Sequence, residues 1–277
     1  MPTRRLDFTD HRRELGNNRY VYAVVSRRAR GLSVGINLNP DKVCNFDCPY
    51  CQVDRTTGVG SAVVDVAELR AELIHLLRLV HGGQLWTTPP FDTTEPDLRR
   101  VADIAFAGDG EPTTPPEFPA AVQVVRECRD LLAPTVPIRL LTNATMVHRP
   151  RVRNALADID EAWCKLDAGT AEYFATVDGT KFPFSHVLRN LSALASARPI
   201  VIQSMFMSMD GQAAPDAEIG AWVARLVEIS QVGRISEVQV YTVARKPSNP
   251  RVGPISTERL TFIGEQGRAA GLRVSVF

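Results

Sequence analysis

Three of the five cysteines, Cys44, Cys48 and Cys51, fall within eight residues in the run CNFDCPYC. Three thiolates at this spacing can hold three irons of a cubane cluster and leave the fourth iron open to another ligand. A structural zinc ion asks for a fourth Cys or His at similar spacing, usually in paired arms. The closest histidines are His11, His75 and His81, the last two on or just past a segment of helical period. The residues point to a 4Fe-4S site with Cys44, Cys48 and Cys51 as metal ligands, and zinc is the other reading. Cys128 and Cys164 lie too far apart to form a second cluster unaided and read as core thiols.

Such chemistry needs a rigid frame. Short apolar runs at Leu32 to Leu38, Val101 to Ala107, Ile138 to Thr142, Ala162 to Asp167, Ile200 to Met207, Val238 to Val243 and Leu272 to Phe277 read as strands. Between them, Val66, Leu69, Leu73, Leu76, Leu77 and Val80 line one helix face, and Phe118, Ala121, Val122, Val125, Cys128 and Leu132 another. Further helices are expected near 149 to 157, 170 to 177, 185 to 197, 216 to 230 and 256 to 270, and Trp86 to Pro96 is expected to be a loop. Strict alternation of strand and helix implies right-handed βαβ units. The expected fold is α/β, a partial (β/α)6-type parallel barrel over residues 31–277 with a short N-terminal extension over residues 1–30.

Ligands of a parallel barrel bind at the C-terminal ends of its strands. In the fourth expected strand, a period of two places Trp163, Lys165 and Asp167 on one face and the apolar Ala162, Cys164 and Leu166 on the other. Lys165 and Asp167 then face the interior, where buried charges ask for a polar ligand or for each other. Gln203, Gln239, Tyr241 and Val243 follow the same alternation, and Arg245 ends it where a guanidinium can grip a carboxylate or phosphate. Lys165, Asp167 and Arg245 are the catalytic candidates, with Arg27, Arg28 and Lys246 as weaker basic ones.

The Cys-x3-Cys-x2-Cys spacing, with Tyr50 just before the last cysteine, resembles the motif of the radical S-adenosylmethionine (radical SAM) superfamily. Residues 20 to 57, with FAGDGEPTTPPEF, LLTNAT and CKLDA further on, are similar to the branch that holds the wyosine-base synthases of tRNA and their uncharacterised bacterial relatives. The resemblance spans about residues 20 to 250. It implies a partial barrel of the radical SAM kind, a 4Fe-4S cluster whose open iron chelates SAM, and reductive cleavage of SAM to methionine and a 5'-deoxyadenosyl radical that abstracts hydrogen from a substrate. It implies that Gly108, Asp109, Gly110 and Glu111 form the turn that meets the SAM amino group, with Tyr50, Asn143 and Gln203 as further cofactor contacts. An electron donor such as flavodoxin or ferredoxin follows from the same likeness. The wyosine synthases also carry a second set of cluster cysteines and a lysine that holds pyruvate, and neither set is visible here.

Composition bounds these readings. The 277 residues are 44% hydrophobic and 23% charged, which excludes disorder, collagen and coiled coil. A chain of this size buries roughly three quarters of its unfolded surface and needs no metal to hold its core. The net charge is +1, so the whole is no polyanion binder. Residues 1–30 hold eight arginines (4, 5, 12, 13, 19, 27, 28 and 30) against Asp7, Asp10 and Glu14, either a solvated tail or a nucleic-acid footprint. No apolar run approaches a membrane span and the start lacks the apolar region of a secretory signal, so a cytoplasmic enzyme with no membrane partner is expected. The substrate is expected to be polar or anionic, either a small molecule or a nucleic acid. A wyosine-type enzyme acting on tRNA is the nearest alternative, and a non-catalytic, metal-bearing nucleic-acid module the other.

Overall fold

The computed structural model describes residues 18–26, 29–53, 55, 63–244, 247 and 249–277. They form two compact units, one of Met1–Val43, Gly58–Leu140 and Arg151–Asp160, the other of Cys44–Thr57, Leu141–Pro150 and Glu161–Phe277.

In the first unit, β1 (Val21–Ser26) runs antiparallel to β2 (Gly31–Ile36), with Val21 opposite Ile36 and Ser26 opposite Gly31. A helix, α1 (Val66–His81), leads to β3 (Val101–Phe106), which pairs parallel to β2. A second helix, α2 (Phe118–Leu132), leads to β4 (Ile138–Thr142), whose first residues pair parallel to β3, and α3 (Pro150–Ala155) follows. Asp65 caps α1 by accepting from the Ala67 and Glu68 amides, and the apolar stripe buries Leu69, Leu73, Leu76 and Leu77. Glu72 breaks that stripe for a reason. Its carboxylate accepts from the backbone N–H groups of Arg19 at 2.6 Å and of Tyr20 and Val21 at 2.9 Å, so it anchors the start of β1. On the sheet, Asp103 of β3 pairs with Arg139 of β4 and accepts from the Ser33 hydroxyl at 2.5 Å. The interior is completed by Leu32, Val34, Ile36, Ile104 and Phe106, the last packed edge-on against Phe118.

The second unit continues with β5 (Glu161–Lys165), α4 (Ala171–Val177), α5 (Phe184–Ala197), β6 (Ile200–Met205), β7 (Ser208–Met209), β8 (Gln212–Ala213), α6 (Asp216–Val232), β9 (Ile235–Tyr241), β10 (Val252–Gly253), α7 (Thr257–Ala269) and β11 (Val274–Val276). Strands β5, β6, β9 and β11 lie parallel in that order, and β10, β7 and β8 form a small antiparallel sheet. Ala162, Cys164 and Leu166 are buried, as the alternation along β5 requires. Trp222 of α6 donates its indole N–H to the Leu166 carbonyl at 3.2 Å and the Ser204 hydroxyl at 3.1 Å. Beside it, a Cβ on Gly169 would stand 2.0 Å from the Trp222 backbone nitrogen, so only glycine fits there. Glu218 accepts from the Gly169 amide at 2.5 Å and from the Thr170 amide and hydroxyl at 3.1 and 2.7 Å, fixing the turn that leaves β5.

Every expected strand and helix is present, with ends moved by up to three residues. Three features depart from expectation. Residues 21–26 at the end of the arginine-rich stretch form a buried strand rather than a tail, because Tyr20, Val21 and Tyr22 supply an apolar edge to β2. The stretch from Trp86 to Pro96 holds short 3-10 turns at Gln84–Thr87, Phe91–Thr93 and Pro96–Leu98. The small antiparallel sheet was not expected either. Arg4, Arg5, Arg12, Arg13, Arg27 and Arg28 lie outside the described residues. Among the described residues, no helix is long and apolar enough to cross a membrane.

Candidate functional site

The first unit carries the glycine-rich turn after β3. Asn37, just past β2, accepts from the Asp109 amide at 3.0 Å and donates to the Asp109 carboxylate at 2.7 Å, and it also accepts from the Asn39 amide at 3.1 Å. Each asparagine lies under one glycine. A Cβ on Gly108 would stand 2.2 Å from Asn37 Oδ1, and one on Gly110 would stand 2.2 Å from the Val43 carbonyl oxygen and 2.7 Å from Asn39 Cγ. Glu111 is buried, its carboxylate accepting from the Thr113 amide at 3.2 Å and hydroxyl at 2.5 Å. Asn39 donates to the Thr114 hydroxyl at 3.3 Å, while its Oδ1 is buried with no hydrogen-bond partner. An orphaned acceptor costs roughly 1–3 kcal/mol, so this turn holds an unmet demand for a donor.

The second unit carries the cysteine loop, and contacts from two sides clasp it. The Asp47 amide donates to the Asp178 carbonyl at 3.2 Å, and the Thr180 hydroxyl donates to the Asn45 carbonyl at 3.3 Å. Between those residues Gly179 adopts a left-handed conformation (φ +57°), and a Cβ on it would stand 2.0 Å from the Asp47 carbonyl oxygen. Phe46 is buried edge-on against Phe174 of α4. From the other side, Asn143 donates to Asn45 Oδ1 at 2.7 Å and accepts from the Thr145 amide and hydroxyl at 3.1 and 2.7 Å, and Asn45 donates to the Thr145 hydroxyl at 2.7 Å. The loop is tightened by the Cys51 amide, which donates to the Cys48 carbonyl at 2.8 Å.

Lys165 joins the loop to β5. Its ammonium pairs with Asp167, pairs with Asp178 at 2.8 Å, and stands 4.5 Å from the centre of the Tyr50 ring. Tyr50 donates its hydroxyl to Asp167 at 2.5 Å, and the Met205 amide donates to the other oxygen of that carboxylate at 2.9 Å. The Cys48 thiol approaches Asp178 Oδ1 at 3.9 Å. Burial pushes the Asp167 and Asp178 carboxyls up, Asp178 to about 7, although Lys165 opposes the rise in both. Burial works against a charged Lys165, yet the two carboxylates beside it hold its pKa well above the ordinary range, so it stays an ammonium. Burial likewise raises the Cys48 thiol, with Lys165 pulling it back.

The structure brings Cys48, Tyr50, Lys165 and Asp167 together, and ties Asn143 to the loop through Asn45. Gln203, in register with Lys165 and Gln239, donates to Gln239 Oε1 at 3.0 Å and is buried. Arg245 and Lys246 lie outside the described residues. Sequence reasoning missed Asn37, Asn39, Asn45, Asp178, Gly179 and Thr180. The available signal was Asn-x-Asn after one strand facing Gly-x-Gly after the next, and Asp-Gly-Thr between two helices.

The donor set suits a 4Fe-4S cluster. Cys44, Cys48 and Cys51 share one loop and none is in a disulfide. The Lys165 ammonium offsets the negative charge that a thiolate at Cys48 would add. In a cubane each thiolate binds its own iron, so the three need not converge on one ion. Among the described residues no group of three His, Cys, Asp or Glu side chains does converge in that way. The glycine turn suits the amino end of SAM, because Asn39, packed under Gly110, holds a spare buried acceptor.

Solved structures decide the fold. A radical SAM methyltransferase from Sphaerobacter thermophilus aligns with a TM-score of 0.65 over 93% of this chain and 68% of its own, at 15% identity. The structure of TYW1 with a lysine-pyruvate adduct bound aligns with a TM-score of 0.59 over 92% of this chain and 85% of its own, at 10% identity. The fold is that of the radical SAM enzymes. No family model matches the chain. Among curated proteins it is 24% identical over 60% of its length to the GTPase Obg of Brachyspira hyodysenteriae, of which it covers 21%. It is 26% identical to a UPF0026 protein of Methanocaldococcus jannaschii over 53% of its length, covering 40% of that protein. A UPF0026 protein of Helicobacter pylori matches at 26% over 57%, with 46% of it covered. The chain thus spans between about a fifth and a half of the length of these curated relatives.

Proposed function

We propose that this chain is a radical SAM enzyme that binds a 4Fe-4S cluster on Cys44, Cys48 and Cys51. The observation that carries this reading is the clasped loop, which presents three thiols outside any disulfide on a fold of the radical SAM kind. Bound there with SAM, the cluster supplies the electron that splits SAM reductively to the 5'-deoxyadenosyl radical that takes hydrogen from a substrate. The protein's own residues bind and orient. Glu111 and Asn39 would accept from the SAM amino group, the glycines let the turn pack down onto Asn37 and Asn39, and Asn143 holds the loop through Asn45. Tyr50, Lys165 and Asp167 form a charged floor beside Cys48, and Gln203 extends it with amide groups. Arg245 grips an anionic group of the substrate. A low-potential donor of the flavodoxin or ferredoxin type delivers the electron.

Anaerobic reconstitution tests this. The wild-type protein is expected to hold about four irons and four sulfides per chain. With SAM and reductant it is expected to release 5'-deoxyadenosine, faster when the right substrate is added from a panel that includes a tRNA and small anionic molecules. The Cys44→Ala/Cys48→Ala/Cys51→Ala variant should do neither. A full iron complement in that variant, or none in the wild type, overturns the proposal.

A further inference from the structure

Lys165, Asp167 and Asp178 form a trio whose formal charge is one negative and whose two carboxylates are buried; it meets the cysteine loop at Tyr50, which donates to Asp167, and at Cys48, whose sulfur lies 3.9 Å from Asp178. The loop does not need that carboxylate for its shape. Its clasp uses the Asp178 backbone carbonyl, the Gly179 turn and the Thr180 hydroxyl. Lys165 pairs with the Asp178 carboxylate at 2.8 Å, but Asp167 is a nearer partner, already held by Tyr50 and the Met205 amide. A carboxylate that the loop's shape does not require, and that is costly to bury, lays its field on Cys48 as well as on Lys165.

We propose that Asp178 is a positioning residue in the electrostatic sense. Its carboxylate biases a cluster held through Cys48 toward the oxidised state, and Lys165 acts on the same sulfur with the opposite sign. This rests on the radical SAM reading above and deepens it, by naming the groups that set how strong a reductant the site demands. Fixed charge beside the cysteine sulfurs is one of the general determinants of cluster potential. At a separation of a few ångströms, with partial compensation by Lys165, one charge is worth about a tenfold change in the ratio of reduced to oxidised cluster at a given applied potential. For one electron that is about 59 mV.

The test is a redox titration of the reconstituted protein followed by electron paramagnetic resonance, with iron and sulfide counted in the same samples. Asp178→Asn keeps the shape and the backbone clasp, removes the charge, and should raise the midpoint potential by that amount with the iron content unchanged. Lys165→Gln should lower it. Opposite shifts support the assignment. A wild-type midpoint in Asp178→Asn, or shifts of the same sign in both variants, overturns it. So does an Asp178→Asn protein that folds but takes up no iron, since the side chain would then build the site rather than set its charge. Should one variant fail to fold, the sign of the shift in the other decides alone. A wild type that binds no iron under the same conditions sinks the radical SAM reading instead, so the two failures are distinguishable.

Discussion

Asn37 and Asn39 are the same residue two positions apart, and the structure uses them differently. Asn37 spends its amide on Asp109 and on the Asn39 backbone, so it builds the turn. Asn39 keeps one buried oxygen unpartnered beside Gly110, so it is the one with something left to give a ligand. Glu111 works next to it. A charge-assisted hydrogen bond from an ammonium to this carboxylate is worth roughly 1.5–3 kcal/mol, or about one to two decades in affinity. Glu111→Ala is therefore expected to keep its iron and to weaken SAM binding by about one to two decades in equilibrium dialysis. Unchanged affinity would remove Glu111 from the cofactor site. The amino acids of this turn were legible in GDGEP, but its supporting asparagines were not, because Asn-x-Asn acquires meaning only once β2 and β3 are known to be neighbours.

At the scale of elements, a parallel sheet lends itself to being read from sequence and a clasp does not. The alternation along β5 separated Ala162, Cys164 and Leu166 from Lys165 because that signal is local and repeats every two residues. The contacts from Asp178 to Thr180 onto Asn45, Asp47 and Cys48 cross about 130 residues of chain and leave no periodic trace. Lys165 and Asp167 were expected on one face, and the internal ion pair between them is present, but Asp178 as the second carboxylate came only with the fold. β1 could have been found from Tyr20 to Val25, where apolar residues continue through a stretch dominated by its arginines. Gly179 offers the sharpest test of the clasp. Its φ of +57° is left-handed, and a Cβ would meet the Asp47 carbonyl oxygen at 2.0 Å, so alanine fits neither the conformation nor the space. Gly179→Ala is expected to lower iron occupancy while far-UV circular dichroism stays near wild type. Full occupancy in that variant would show that the clasp is dispensable.

For the molecule as a whole, the core and the cysteine loop answer to different forces. The core is apolar side chains, with Glu72 and Glu218 as buried carboxylates satisfied by backbone donors, and none of it involves the three thiols. A chain of 277 residues buries enough surface to stand without a metal. Stripping the proposed cluster from reconstituted protein with a chelator under reducing conditions should therefore leave helical content and the main thermal transition in place, with change confined to the loop and its neighbours. Loss of cooperative unfolding on chelation would show that metal binding and folding are coupled, as they are in small metal-dependent domains.

The clasp also sets an order of events during synthesis. Cys48 leaves the ribosome 130 residues before Asp178 does, and Asn45 leaves 135 before Thr180. At about 5–20 residues per second, the three thiols wait roughly 7–26 s before the segment that shapes their loop exists at all. During that interval they are ordinary reactive cysteines on an unfinished chain. Iron delivered then would find no organised loop, so on the proposed reading a cluster would assemble only after translation has passed residue 180.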